Sequence, residues 1–357
     1  MKVLFVGFKY DYGLKSRGES LELRAFYPAI LNNSIECHSF WLEEYGFPDD
    51  INSLQERIIN FADSLHPDLI FFVLMKDEIK AKTILYLTSK YKTLNWFCDD
   101  QWRFESFTKH IGPFFSYCVT VDKYCIPEYN KIGITPILSQ WASFDYLPGI
   151  NFAFESYNAD ISFIGSKNLT REWVISELEK RKVFVNCYGS GWQNGKISFE
   201  EMKLIFLKSK INLNLSNSVP KDIGFMFFIV KKFFSIVLNP FGAINEKIAF
   251  LKDLKSLIFS HKQIEQIKAR NFEIPGFGGF QISKFALQLE DYFENGKEIV
   301  LFSDIDELTQ LVRFYLENDR LREKIRCNGY FKSANHSYSN RISLIFNEIR
   351  SMNYDKN

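Results

Sequence analysis

Glu265 and Glu273 stand eight positions apart, with Lys268 and Arg270 between them and Ile-Pro-Gly-Phe-Gly-Gly-Phe-Gln (274–281) behind them. These residue types suit one kind of ligand. A carboxylate accepts hydrogen bonds from ribose hydroxyls, cations meet phosphate oxygens, and glycines let a backbone approach closely. On a helix, Arg270 and Glu273 share a face at i, i+3. Together they suit a nucleotide-sugar. An ion pair beside a turn uses the same residues, so that reading stays open.

The elements that must position these residues form two similar runs. Short apolar runs at 3–6, 69–74, 93–97 and 117–121 are separated by amphipathic stretches such as 51–65 and 77–91. Runs of that kind predict parallel strands covered by helices on both faces. Ligands of such sheets bind beyond the carboxyl ends of the strands, where Gly7, Asp99, Asp100 and Asp122 fall. The periodicity breaks at 147–159, which reads as a linker, and then restarts. Strands are expected at 160–164, 183–188, 210–215 and 299–302. Helices are expected at 170–182 with Thr170 as N-cap, and at 199–208 behind a Ser198/Glu201 capping box. Further helices are expected at 304–317, at 319–328 and from 338 onward. The organisation is therefore an N-terminal domain at 1–150, a C-terminal domain at 159–337 with an insertion at 217–264, and a last helix at 338–357.

Composition narrows the function classes. A chain of 357 residues exceeds one ordinary core. A formal net charge of +1 gives no electrostatic case for a nucleic-acid partner. The six cysteines show no Cys-x-x-Cys spacing and do not cluster with the five histidines, so neither a zinc site nor a disulfide framework is expected. Met1-Lys2 leads straight into an apolar strand rather than a signal peptide, so a cytoplasmic location is expected. The 37 Phe, 17 Tyr and 6 Trp exceed what cores ordinarily use and leave aromatic surface for a sugar, a partner or a membrane.

The second half resembles the CgeB-like glycosyltransferases of the group-1 superfamily. The resemblance lies in Asp160-Ile-Ser-Phe-Ile-Gly165-Ser166 with Arg171, in Tyr188-Gly189-Ser-Gly191-Trp192, and in Ser198-Phe-Glu-Glu-Met. It continues through Ser209-Lys-Ile-Asn212-Leu-Asn214-Leu-Ser216, Lys268-x-Arg270-x-Phe272-Glu273-x-Pro-x-x-Gly278-Gly279-Phe280, and Tyr292-Phe-Glu-Asn-Gly-Lys-Glu298-Ile-Val. The first half is similar more loosely, through 95–104 and Gln140-Trp141-Ala142. The resemblance implies a GT-B fold, two Rossmann-like parallel-sheet domains facing a cleft, with the last helix crossing back to the first domain. It implies a nucleotide-sugar donor on the C-terminal domain and an acceptor on the N-terminal one. Glu273 takes the ribose-binding role of the second Glu in a Glu-x7-Glu motif, and Glu265 matches the spacing of the first. Such enzymes generally work without a bound metal, and none is expected here.

The candidate donor site therefore comprises Gly165, Ser166, Arg171, Tyr188, Gly189, Trp192, Lys268, Arg270, Glu273, Gly279 and Phe280. Lys268, Arg270 and helix N-termini stabilise a departing diphosphate. Tyr188 and Gly189 pack the base, and Trp192 lines the sugar or anchors the core. Asp99 and Asp100 are candidates for the base an inverting reaction needs, since adjacent carboxylates raise one pKa toward a useful range. Glu265 is the catalytic candidate of a retaining one, and the stereochemistry stays open. Gly7, Tyr10, Asp11 and Arg17 are acceptor-side candidates.

Within the insertion, Phe225-Met-Phe-Phe-Ile-Val230 and Phe233-Phe-Ser-Ile-Val-Leu238 flank Lys231-Lys232. The run is too short and too charged to span a bilayer. Lys231, Ser235 and Asn239 fall at i, i+4, i+8, which predicts a narrow polar stripe on a broad aromatic face. Such a helix lies on a membrane surface, through 221–240, or packs on the domain or a second copy. The sequence reads as a glycosyltransferase acting on a saccharide, glycolipid or protein acceptor in bacterial surface glycan synthesis, peripheral on the inner face of the cell membrane. The alternatives are a catalytically inactive sugar-binding or scaffold protein of the same fold, and an epimerase.

Overall fold

The structure is a computed structural model and describes residues 1–34, 36–145, 152, 156–215, 218–238, 243–258, 262 and 264–354. Most of the expected linker, together with Ser216 and Asn239, lies outside the described residues. The chain divides into two compact units, Met1–Asp145 with His336–Asn357, and Tyr146–Asn335.

The first unit is built on β1 (Lys2–Gly7), β2 (Glu36–Trp41), β3 (Leu69–Phe72), β4 (Lys92–Phe97), β5 (Tyr117–Thr120) and β6 (Ile137–Leu138). All pair in parallel, in the order β2-β1-β3-β4-β5-β6. Alternation along the strands divides the core into two layers. Val3, Phe5, Phe71, Leu94 and Trp96 enter one. Leu4, Val6, Ile70, Phe72 and Phe97 enter the other. Both faces are thus buried, which explains why these strands read as unbroken apolar runs.

The last helix, Tyr338–Tyr354, completes the first of these layers. Tyr338, Ile342, Ile345, Phe346 and Ile349 recur at helical spacing, and all are buried. Tyr338 meets the Phe26 ring at 5.0 Å, and Asn33 Nδ2 donates to the Ser339 carbonyl at 3.1 Å. The return of the last helix onto the first unit, expected from the family resemblance, is present.

The second unit is built on β7 (Ala159–Ile164), β8 (Asn186–Tyr188), β9 (Ser209–Asn214), β10 (Gln281–Lys284) and β11 (Val300–Phe302). This sheet is also parallel throughout, in the order β11-β10-β9-β7-β8. Strand order reverses between β1 and β3 in one sheet and between β7 and β9 in the other. Each reversal leaves a crevice at the carboxyl ends, where ligands of open α/β sheets bind.

The structure corrects several local expectations. The helix placed at 170–182 runs Leu169–Lys180, and its N-cap is Asn168, whose Oδ1 accepts from the Arg171 N–H at 2.9 Å. Thr170 instead turns its hydroxyl to the Ser218 carbonyl. The strand placed at 183–188 is only Asn186–Tyr188. β2, β6 and β10 carry polar or few residues and escaped the search for apolar runs. The Ser198/Glu201 capping box is present on the helix Phe199–Lys208. The insertion holds two helices, Ile223–Ile236 and Ile244–Ile258. Among the described residues, no helix is long and apolar enough to cross a membrane.

Because Phe346 fills the layer beneath β1 and β4, Phe346→Ala should cost about 3–5 kcal/mol through transfer and cavity terms. Leu344→Ala, at an exposed position, should stay within about 0.5 kcal/mol of the parent. Urea unfolding of the two variants measures the difference.

Candidate functional site

At the carboxyl end of the second sheet, the loops after β7 and β8 are zipped together. The Gly165 N–H donates to the Tyr188 carbonyl at 2.9 Å, and the Lys167 N–H to Ser190 at 2.8 Å. The Trp192 indole donates to the Gly165 carbonyl at 2.9 Å. A Cβ on Gly189, whose φ is +122°, would lie 2.4 Å from the Gly165 oxygen, so only glycine permits this approach. Trp192 also meets Phe163 edge to face at 6.2 Å. Its N–H is engaged and its ring packs on the core, which makes it a clamp between two loops.

Arg171 crosses the β7/β9 crevice. Its Nε donates to the Leu215 carbonyl at 3.2 Å and its Nη1 to the Ser166 carbonyl at 2.9 Å. Burial, then the nearby charge of Arg270, brings its pKa down to about 10, with Glu265 opposing. Arg270 lies on the helix Arg270–Gly276, which runs back from the carboxyl end of the sheet toward β10. Its Nη1 reaches Glu273 Oε2 at 2.7 Å, and its guanidinium lies 5.1 Å from the Phe206 ring centre. Glu273 is 7% exposed, so this ion pair is largely withdrawn from water. Lys268 precedes the helix, and its ammonium donates to Gln266 Oε1 at 2.9 Å. Glu265 accepts from the Ser218 hydroxyl. The structure therefore gathers Gly165, Ser166, Arg171, Glu265, Arg270 and Glu273 around one strand-order reversal.

Gly279 and Phe280 do not join them. Phe280 is fully buried, with its ring 4.9 Å from that of Tyr315. A Cβ on Gly279 would meet Asn212 Nδ2 at 2.8 Å and the Phe206 carbonyl at 2.9 Å. This glycine lets a helix-to-strand turn pack against β9. Asn212, on β9, is fully buried, with Oδ1 accepting from Ser162 and Nδ2 donating to the Phe206 carbonyl.

Beside the cluster lies a cavity of about 340 Å³. Leu215, Lys284 and Ser303 line it from the ends of β9, β10 and β11, Trp173 from the helix Leu169–Lys180, and Pro220 and Asp222 from the insertion. Burial lowers the pKa of Lys284 against the pull of Glu265, Asp304 and other carboxylates. Among the described residues, no group of three or more His, Cys, Asp or Glu side chains is placed to hold a metal ion.

In the first unit the two adjacent aspartates part company. Asp100 is 2% exposed and accepts from Thr108 Oγ1 at 2.6 Å, Thr120 Oγ1 at 2.6 Å and Tyr129 Oη at 2.8 Å. Burial lifts its pKa to about 6; the neighbouring charge that adds to the shift is Asp122, not Asp99. A carboxyl held by three hydroxyls inside the core cannot serve as a base toward an acceptor, which corrects the expectation for Asp100. Asp99 stays near the surface, and its charge acts on Tyr12 in the loop after β1, as does that of Asp11. In the same loop Arg17 pairs with Asp11 at 2.6 Å, and the Tyr10 N–H donates to Glu43 Oε1 at 2.8 Å. Gly7 ends β1 and pairs in register with Trp41.

Glu22 belongs to this group and was missed by sequence reasoning. It lies against Gly7, where a glycine Cβ would meet its Cγ at 3.4 Å. Burial, with smaller contributions from Asp11 and Glu43, raises its pKa to about 7. The only sequence signal was its place just after the first strand-to-helix loop, at the start of the helix Glu22–Phe26.

With this geometry in place, likeness to known proteins can be weighed. Residues 244–347 match the family model described as glycosyl transferase-like. No curated protein matches the chain in sequence. Among solved structures, Anabaena HepE in complex with UDP and glucose is 12% identical at a TM-score of 0.53, covering 99% of this chain and 100% of its own. A Rickettsia africae glycosyltransferase is 12% identical at 0.52, covering 98% and 97%. Sucrose-phosphate synthase from Thermosynechococcus elongatus is 10% identical at 0.51, covering 100% of both chains. At such identities the likeness is one of fold, and that fold is GT-B.

The raised carboxyl pKa values set a direction for stability. Glu22 and Asp100 bind protons more tightly folded than unfolded. Their contribution is complete below the unfolded carboxyl range and is lost as pH rises through about 6 for Asp100 and about 7 for Glu22. Melting temperature measured from pH 4 to 8 should fall across that window for this reason, and Glu22→Gln should flatten the upper part of the decline.

Proposed function

We propose that the chain is a glycosyltransferase that moves a sugar from a nucleotide-activated donor to a saccharide, glycolipid or protein acceptor. The observation that carries this reading is the gathering of Arg171, Arg270 and Glu273 at the β7/β9 crevice. Two guanidiniums at a parallel-sheet crevice suit an anionic ligand. A nucleoside diphosphate supplies that anion and also a ribose for Glu273. The glycosyl transferase-like match spans the Lys268–Glu273 motif, and HepE, of the same fold, holds UDP and glucose. Kinship with the CgeB-like group, and a place in bacterial surface glycan synthesis at the inner face of a membrane, are the finer parts of this reading.

In this mechanism the second unit binds the donor. Arg171 and Arg270 neutralise charge that develops on the departing diphosphate, a contribution that grows in the transition state and so lowers the barrier. Glu273 orients the ribose and holds Arg270 in place. No metal is required for these roles. The first unit receives the acceptor, and its carboxylates after β1 and β4 hold the proton chemistry. Glu22, poised near neutrality, is the best-tuned base for an acceptor hydroxyl, with Asp99 beside the same loop.

Thermal shift of the purified chain against UDP, GDP, CMP, dTDP, ADP and their sugar conjugates tests the donor. A ligand at 100 times its Kd should add about 2.7 kcal/mol to stability and raise Tm. Glu273→Ala should weaken nucleotide binding by about 1–3 kcal/mol, since charge-assisted hydrogen bonds are lost. Wild-type affinity in that variant, by calorimetry, would remove Glu273 from the site; no shift with any nucleotide would favour the sugar-binding or scaffold alternative.

With donor and acceptor in hand, Glu22→Gln should lower kcat by about 100-fold or more and abolish an activity rise near pH 7. Full activity in Glu22→Gln would point to a retaining route while leaving donor binding intact.

A further inference from the structure

The helix Ile223–Ile236 is apolar on two sides. Phe225 and Ile229 are buried against the second unit, where Phe225 meets Trp173 at 5.5 Å between ring centres. Ile223, Met226, Phe227, Val230 and Phe234 follow one another at i, i+3, i+4, i+7 and i+11 on the outer side. They are 76%, 59%, 68%, 49% and 61% exposed. The helix Ile244–Ile258 carries a second stripe, Ile244, Ile248, Leu251 and Ile258, at i, i+4, i+7 and i+14, and all four are exposed. Among the described residues, eleven of the twenty-six exposed large apolar side chains fall between 223 and 264. A helix apolar all round is ordinarily buried, and a concentrated apolar surface marks something that covers it.

The expected narrow polar stripe is thus not what separates this helix from water. Lys231 and Ser235 are exposed, but they stand beside apolar residues that are equally exposed. The charge of the segment shows what the cover must be. Between 218 and 258 there are six lysines against three carboxylates, in a chain whose formal net charge is only +1. Lys221, Lys231, Lys252 and Lys255 are exposed. A second copy of this surface would bring the same excess of lysines to the contact and repel it. A sheet of anionic headgroups over acyl chains would satisfy both features, taking apolar side chains below and lysine ammoniums at the phosphate level.

We infer that the two helices of the insertion form a docking surface for an anionic lipid bilayer. The surface lies on the membrane rather than through it. This deepens the inner-face placement proposed above and extends it to the helix Ile244–Ile258. It needs no nucleotide and no turnover, so it stands or falls apart from glycosyl transfer.

The test is co-sedimentation of the full chain with vesicles of phosphatidylcholine alone and of phosphatidylcholine with phosphatidylglycerol. The wild type should pellet with the anionic vesicles. Met226→Asp/Phe227→Asp/Phe234→Asp should reduce binding about tenfold or more, and Lys231→Ser/Lys252→Ser/Lys255→Ser should reduce it at physiological salt. All six side chains face outward, so both variants should keep the parent's Tm, and nucleotide-induced thermal shift gives a second check that the second unit is intact. Wild-type chain left in the supernatant with both vesicle types overturns the inference. So does unchanged binding in a folded triple-aspartate variant. Sedimentation velocity showing a dimer that the aspartates dissociate, without vesicle binding, assigns the surface to a second copy and overturns it as well.

Discussion

Arg171 holds the place on which the candidate site depends. Strand order in the second sheet reverses between β7 and β9, and the reversal leaves their carboxyl ends without a shared crossover. The guanidinium spans that gap, donating to backbone carbonyls of Ser166 and Leu215. Burial and the charge of Arg270 lower its pKa, and Glu265 raises it. The zipped loops at 165–167 and 188–192 fix the Ser166 carbonyl that Arg171 holds. Gly189 is the residue without which those loops could not close.

The first unit solves a different problem with the same architecture. Its sheet, covered on both faces, drives carboxylates to the strand ends, where some remain near water and one does not. Asp99 and Asp100 are neighbours in sequence, yet one sits near the loop after β1 and the other is locked by three hydroxyls. The locked carboxyl ties the segment after β4 to β5 through Thr120, and to the helix Ile126–Lys131 through Tyr129. Its neighbours are thereby held in place, so it positions the surface group without reaching a ligand. Glu22 reaches a pKa useful to an acid–base catalyst through burial at the end of β1, without a hydrogen-bonded charged partner.

The insertion adds a surface that the two sheets do not require. Its first helix packs one side on the second unit and leaves the other uncovered, while its first residues wall the cavity that Lys284 enters. Apolar surface and a local excess of lysines occur together there.

The sequence by itself determined the two parallel sheets, because strands buried on both faces must be written as continuous apolar runs. It determined the Arg270–Glu273 pair, because helical spacing alone sets i, i+3 neighbours; the return of the last helix was legible only through the family resemblance. It did not reveal β2, β6 or β10, whose short or polar strands carry too little pattern. Tertiary structure alone decided which groups share a place. Phe280 and Gly279 adjoin the motif in the chain but turn into the core, since a strand beginning at Gln281 must bury its first residues against β9. Arg171 and Arg270 are ninety-nine positions apart and come near enough to influence each other only because both helices begin at the same side of one sheet. Glu22 carries no local mark, because a pKa set by burial is a property of what surrounds a side chain, and residues distant in sequence supply those surroundings.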